Sequence, residues 1–277
     1  MTRERCIIHA NCQGEPLLER LNRCPEFADR FEARIYVNYV REPIPDRELR
    51  ECSLFLYQHL GDRWDDLASS ALLARLPAGA RSLCIPNMFF KGYWPMWDGR
   101  AGFDYRCSLL DEVVDLGLTP EETLVLFLRT DVARKYDLDA LYRETLERER
   151  EREARTPVKY VHLIAAHGHE TRLFNTVNHP GPLLLNHAAV EILHRLGFTP
   201  PAPEAFEALP APFPEFEQPI HPKVAAHFGW PFAGQDAEYN IYGRPMTFAR
   251  YAAHYVTARK AGIGDFIGFL QGDPSDG

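Results

Sequence analysis

The sequence predicts an α/β protein, a small and mainly parallel sheet embedded in a helix- and loop-rich cradle. Three observations predict it. Short apolar runs recur through the first third of the chain, helix-like patterns separate them, and the runs end in polar residues at Asn11-Cys12, Gln58-His59 and Asn87. Strands alternating with helices favour a parallel sheet. Ligands of such sheets collect beyond the carboxyl ends of the strands, where these polar residues fall.

Each element has its own signal. Residues 5–9 read as a buried strand ending in the turn Asn11-Cys12-Gln13-Gly14. Glu15–Arg23 then reads as a helix, with Pro16 in its first turn and Leu17, Leu18 and Leu21 on one face. Arg34–Val40 alternates as a second strand; Ser53–Tyr57 is a third and Ser82–Pro86 a fourth. Asp65–Leu76 between them has a helical apolar face. Residues 106–116 and 120–134 read as helices, the latter opened by Thr119-Pro120-Glu121-Glu122. Leu138–Arg155 ends in alternating Glu and Arg, the pattern of a solvated helix face. Val158–Ala165 is apolar and fits helix or strand. Leu184, Ala188 and Ile192 mark a helix closed by Gly197. Thr199–Pro222 reads as an extended Pro-rich connector, and a last helix runs from about Pro245 to Lys260. Residues 1–198 are therefore expected to form the α/β core, with a helical insertion at about 106–156. Residues 199–277 would add the connector and a helical segment packed on that core.

The bulk composition narrows the function. The chain has 277 residues, 45% hydrophobic and 25% charged, as in ordinary globular proteins. A net charge of −8 argues against nucleic acid or an anionic membrane as a general partner. No run is long enough to span a membrane. The six cysteines stand singly, with no Cys-x-x-Cys, as expected for reduced thiols in a cytoplasmic protein.

The chemistry centres on two segments. Cys12 sits between a strand and a helix N-terminus, whose unpaired N–H groups favour a thiolate; the alternative is a buried strand-end cysteine packed as a small hydrophobe. Gly14 would let the backbone approach a bound group. His179, before Pro180 at the mouth of a helix, is placed to act as a base toward a nucleophile from a strand end. Asn11, Asn87 and backbone N–H groups near Cys12 would serve an oxyanion. The aromatic segment Phe89–Trp97 either walls a pocket or packs over the core. His162, His167, His169, His179, His187 and His194 crowd one region, but no His-Glu-x-x-His is present and no metal is expected. The absence of Gly-x-Gly-x-x-Gly and of a phosphate-loop pattern disfavours a dinucleotide or P-loop nucleotide.

The segments His9-Ala10-Asn11-Cys12-Gln13-Gly14, Pro86-Asn87 and Asn178-His179-Pro180 together resemble the WcbI-type capsular polysaccharide biosynthesis proteins, over roughly the first two hundred residues. That family is understood to bind coenzyme A and is proposed to O-acetylate capsule sugars. The resemblance implies coenzyme A or acetyl-coenzyme A as the acyl donor, a sugar acceptor, and catalytic roles for Cys12, His179, Asn87 and Asn11. It also points to Gln13, Gly14, His59, Lys91, Arg172 and Asn178 for holding the coenzyme, Lys91 and Arg172 as candidates for its phosphates. The same blocks look like a distant echo of SGNH/GDSL hydrolases, with Cys12 in the serine's place, Asn87 matching the oxyanion Asn and His179 the His. Thr176 stands where that pattern has an Asp, which leaves a Cys–His dyad in place of a triad. An esterase or thioesterase, or a non-catalytic coenzyme A-binding module, are the alternative readings.

Overall fold

The computed structural model describes residues 3–272. Its chain divides into two compact units. One gathers the chain up to Phe89 with Glu147–Ala166 and Asn178–Pro212; the other gathers Phe90–Leu146, His167–Val177 and the chain from Phe213 on.

The first unit is built on a four-stranded parallel sheet, β1 (Glu4–Ala10), β2 (Phe31–Val37), β3 (Cys52–Gln58) and β4 (Arg81–Ile85), in the order β2-β1-β3-β4. The central strands are apolar on both faces because helices cover both: Cys6, Ile7, Ile8 and Ala10 on β1 and Leu54, Phe55 and Leu56 on β3 are fully buried. Helix α1 (Gly14–Leu21) follows β1 at once and packs on the helix Pro182–Leu196. Arg20, buried between them, donates to Asn186 Oδ1 at 2.7 Å and to the Pro16 carbonyl at 2.8 Å. The helix Pro182–Leu196 ends where Gly197 takes a left-handed φ of 85°, a conformation that favours glycine.

The sheet thus has the expected class, with strands extended or shifted by a few residues. The larger differences lie between strands. Pro25 opens a further helix, Pro25–Arg30, because proline suits a first turn. The helix expected over Asp65–Leu76 is a 3₁₀ segment, Asp62–Leu67, and a short helix, Ser69–Ala74; the backbone breaks at Asp65, where φ is 53°.

In the second unit, the 120–134 segment divides into Pro120–Arg129, opened by a complete Thr119–Glu122 capping box, and Val132–Lys135, capped by Asp131. The helix expected from about Pro245 begins later, at Phe248, and a further helix, Phe266–Gln271, follows it. Arg244–Thr247 instead pairs antiparallel with Glu238–Ile241 around Tyr242-Gly243, both with positive φ, as a tight hairpin requires. The helix Phe248–Lys260 packs on Pro120–Arg129 and Ser108–Val114. Asp111, 4% exposed, holds this region together: its carboxylate accepts from Arg106, Arg259 and the Tyr255 hydroxyl. The aromatic segment is largely core here. Tyr93 donates to the Gly168 carbonyl, and the Trp94 indole N–H faces the carbonyls of Gln218 and Pro219.

Candidate active site

The polar residues at the ends of β1, β3 and β4 form one hydrogen-bonded network, with Gln58 as its hub. Fully buried, Gln58 accepts through Oε1 from the Asn11 backbone N–H at 2.8 Å and from Asn38 Nδ2 at 3.2 Å. Its Nε2 group faces Asn11 Oδ1, Gln13 Oε1 and the Pro86 carbonyl at 3.2, 3.3 and 3.0 Å. A buried amide needs such partners, and here they tie the end of β3 to the ends of β1, β2 and β4.

The turn after β1 is shaped by its own side chains. Asn11 Oδ1 accepts the Gln13 N–H at 2.9 Å, an Asx turn, and the Gly14 N–H closes onto the Asn11 carbonyl at 2.9 Å. Gly14 answers a close approach, but to the sheet: a Cβ there would lie 3.0 Å from Ala10 Cβ, with Ile35 and Ile8 just beyond. Gln13 is buried, and its Nε2 reaches the carbonyls of Met88 at 2.7 Å and Asn178 at 2.9 Å, while its Oε1 accepts the Met88 N–H. Asn11 Nδ2 donates to Asn87 Oδ1 at 3.3 Å, which orients the Asn87 amide with its own Nδ2 still available to a ligand.

Cys12 is partly exposed, directly before α1, and its sulfur accepts from Asn178 Nδ2 at 3.5 Å. His179 is the next residue, in the two-residue strand that precedes Pro182–Leu196. Desolvation of its ring pushes its pKa down to about 4, so the imidazole is neutral near pH 7.

Asn11, Asn87, Asn178 and exposed His59 line a cleft of about 650 Å³. Arg63, Arg152 and Arg155 line it as well, with Trp64, Tyr39 and Phe89 as aromatic surface. A protein with a net charge of −8 therefore presents a basic cleft beyond the carboxyl ends of its strands. The His59 pKa is lowered, first by desolvation and then by the Arg155 charge. Arg152 lies over the Phe89 ring, 5.1 Å from its centroid. Behind it is Glu149, fully buried, whose Oε2 accepts from the Phe89 N–H and the Tyr160 hydroxyl, each at 3.0 Å. Its Oε1 lies 3.0 Å from Arg152 Nε, an ion pair outside hydrogen-bond geometry. Burial pushes the Glu149 carboxyl up to about 7 despite these partners.

The two remaining expected coenzyme contacts belong to the second unit. The Arg172 guanidinium is engaged by main-chain carbonyls, those of Phe174, Asn175 and Gln218 at 2.8–3.0 Å, and lies over the rings of Trp94 and Tyr239. Its Nε and one terminal nitrogen are thereby engaged within the fold. Lys91 is half-buried in a turn whose carbonyl accepts the Trp94 N–H. Among the described residues no three His, Cys, Asp or Glu side chains gather as a metal site, and no helix is long and apolar enough to cross a membrane.

A family model described as the polysaccharide biosynthesis enzyme WcbI matches residues 5–201, which span the turn of Cys12, the Asn87 strand end and the Asn178-His179 segment. The chain belongs to the WcbI family. It is thereby a polysaccharide biosynthesis enzyme. A solved structure of native WcbI, determined without a disulfide bond between coenzyme A and a cysteine of that protein, has the same fold. The TM-score is 0.77 at 20% sequence identity, over 99% of this chain and 96% of that one. No curated protein is similar enough in sequence to count as a relative. The WcbI match covers the three segments that carried the resemblance, whereas the cleft arginines and the Gln58 hub carry no motif. Gln58 was visible only as a polar residue at a strand end. Arg152 and Arg155 were hidden in a charge run that reads as solvated surface.

Proposed function

We propose that this WcbI-family enzyme transfers an acyl group from a coenzyme A thioester, acetyl-coenzyme A in the simplest case, to a sugar hydroxyl of a polysaccharide precursor. The observation that supports the reading is the Asn178–Cys12 contact, between a partly exposed thiol and the residue that precedes His179 in the chain. The solved WcbI is described with reference to a coenzyme A–cysteine disulfide, which supports a coenzyme thiol lying near a cysteine in this family too.

In this reading the coenzyme's phosphates meet Arg63, Arg152 and Arg155, and its adenine has the Trp64 and Tyr39 rings for stacking. The Cys12 thiolate, favoured by the Asn178 amide and the α1 N-terminus, attacks the thioester carbonyl carbon. A carbon–sulfur bond forms to Cys12, the bond to the coenzyme sulfur breaks, and the coenzyme leaves as its thiol after taking up a proton. Asn87 Nδ2 faces the oxyanion. The acceptor hydroxyl then attacks the acyl-cysteine while neutral His179 takes its proton; the sugar ester forms, the carbon–sulfur bond to Cys12 breaks and the Cys12 thiolate is restored, and His179 passes the proton to solvent.

The test is turnover and a mass shift. Acetyl-coenzyme A should release free coenzyme A in the presence of a sugar acceptor, and without acceptor should leave an acetyl group on Cys12. Equal release with water alone would make the enzyme a thioesterase. A Cys12→Ala variant with full turnover would overturn the covalent mechanism.

A further inference from the structure

Arg20 is a buried charge that the proposed acyl transfer does not use. It is 1% exposed, and among the described residues it forms no ion pair. Burial lowers its pKa, and the Glu19 charge opposes that shift only in part. A guanidinium without a carboxylate is a costly way to fill a helix interface, and an apolar side chain of similar length would hold it as well or better. What the guanidinium adds is direction.

The two helices that Arg20 joins each follow closely on a site segment. Helix α1 begins at Gly14, just after Cys12, and the helix Pro182–Leu196 begins just after His179 and Pro180. Gln13 Nε2 ties these segments near the site, donating to the carbonyl of Asn178, whose Nδ2 meets the Cys12 sulfur. Arg20 ties the helices farther along: Nη1 is anchored on the Pro16 carbonyl in the first turn of α1, and Nε donates to Asn186 Oδ1 on the other helix. A single tie would leave the helices free to pivot about it; a second fixes their angle. Apolar burial, which Leu17 and Leu21 supply on α1 and Leu185 and Ala189 on the other helix, has no direction of its own.

We infer that Arg20 is a positioning residue: with Asn186 it fixes how α1 lies along Pro182–Leu196, and so holds the Cys12 sulfur against Asn178 Nδ2. Its effect on turnover rests on the proposed acyl transfer, whereas its effect on the thiol does not.

The double variant Arg20→Met/Asn186→Leu tests it in the full chain, because replacing both groups strands neither. Its urea midpoint should equal or exceed the parent's. Alkylation of Cys12 by iodoacetamide at pH 7 should slow about threefold, no more than removal of Asn178 itself achieves, and should reach the parent's rate at about pH 10, where both thiols ionise. In an Asn178→Ala background the double variant should slow alkylation no further, since both changes act through one contact. Arg20→Lys keeps a donor for Asn186 and should retain most of the parent's rate. With acetyl-coenzyme A, kcat should fall about tenfold while KM stays within about twofold. The inference is overturned if the double variant alkylates like the parent at every pH, if its slowing persists without Asn178, or if Arg20→Lys is no faster than Arg20→Met. Slowed alkylation with unchanged turnover would uphold the positioning of the thiol and overturn acyl transfer through Cys12.

Discussion

Asn178 Nδ2 donates to the sulfur of Cys12 at 3.5 Å, across 166 residues of sequence. A neutral amide N–H stabilises a thiolate without competing for its proton. Asn178→Asp would replace that donor with a negative charge and raise the thiol pKa. Cys12 alkylation by iodoacetamide at pH 7 is then expected to slow about tenfold, while Asn178→Ala slows it only a few-fold. Thiol-labelling rates followed by peptide mass spectrometry check this, and equal rates in all three proteins would disconnect Asn178 from the thiol.

Gln58 is the residue whose loss should cost most stability around the site. Gln58→Leu keeps the volume but strands the Asn11 N–H, Asn38 Nδ2 and the Pro86 carbonyl. Each stranded buried group costs about 1–3 kcal/mol, so a loss of roughly 3 kcal/mol in urea unfolding is expected after relaxation. Because Asn11 positions Asn87, turnover should fall along with stability.

The sheet was legible because β1, β3 and β4 announce themselves by apolar runs with polar ends, and the Cys12 turn by its Gly14 and Pro16. The Tyr242-Gly243 hairpin was not, since Arg244-Pro245-Met246-Thr247 lacks a strand-like pattern and its pairing is decided by positive φ at the turn. Gly14 was legible as a place of close approach, yet only coordinates show that the neighbour is Ala10. Arg172 and Arg152 look alike in sequence. Tertiary structure gives one to main-chain carbonyls and the other to a cleft, and no local pattern records that difference.

Buried titratable groups set a pH dependence whose sign can be worked out. In the first unit, His9 and His179 fall from 6.5 to about 4, so the unfolded chain binds more protons between those values and stability rises with pH across that window. Glu149 rises from 4.5 to about 7, so the folded chain binds the extra proton there and stability falls as pH rises. Two histidines outweigh one glutamate, and the urea midpoint should climb from pH 4 to 6.5. Glu149→Gln removes the opposing contribution. It should match the parent at pH 4 and exceed it at pH 8, by up to about 3 kcal/mol; a midpoint difference that is flat with pH would show that Glu149 ionises freely.

The cleft arginines should act on binding of the coenzyme and leave the chemical step alone. Arg63 and Arg155 line the cleft, whereas Arg152 also pairs with Glu149, so the first two are the clean probes. A charged contact to phosphate is worth about 1.5–3 kcal/mol, of which an exposed position retains less. Arg155→Ala is expected to raise KM for acetyl-coenzyme A about five- to tenfold with kcat nearly unchanged, and to flatten the dependence of KM on salt. The effect should vanish when a short N-acetylcysteamine thioester, which carries no phosphate, replaces acetyl-coenzyme A. A loss of kcat with both donors would instead tie Arg155 to the reacting atoms, and an unchanged KM would move the coenzyme's phosphates out of this cleft.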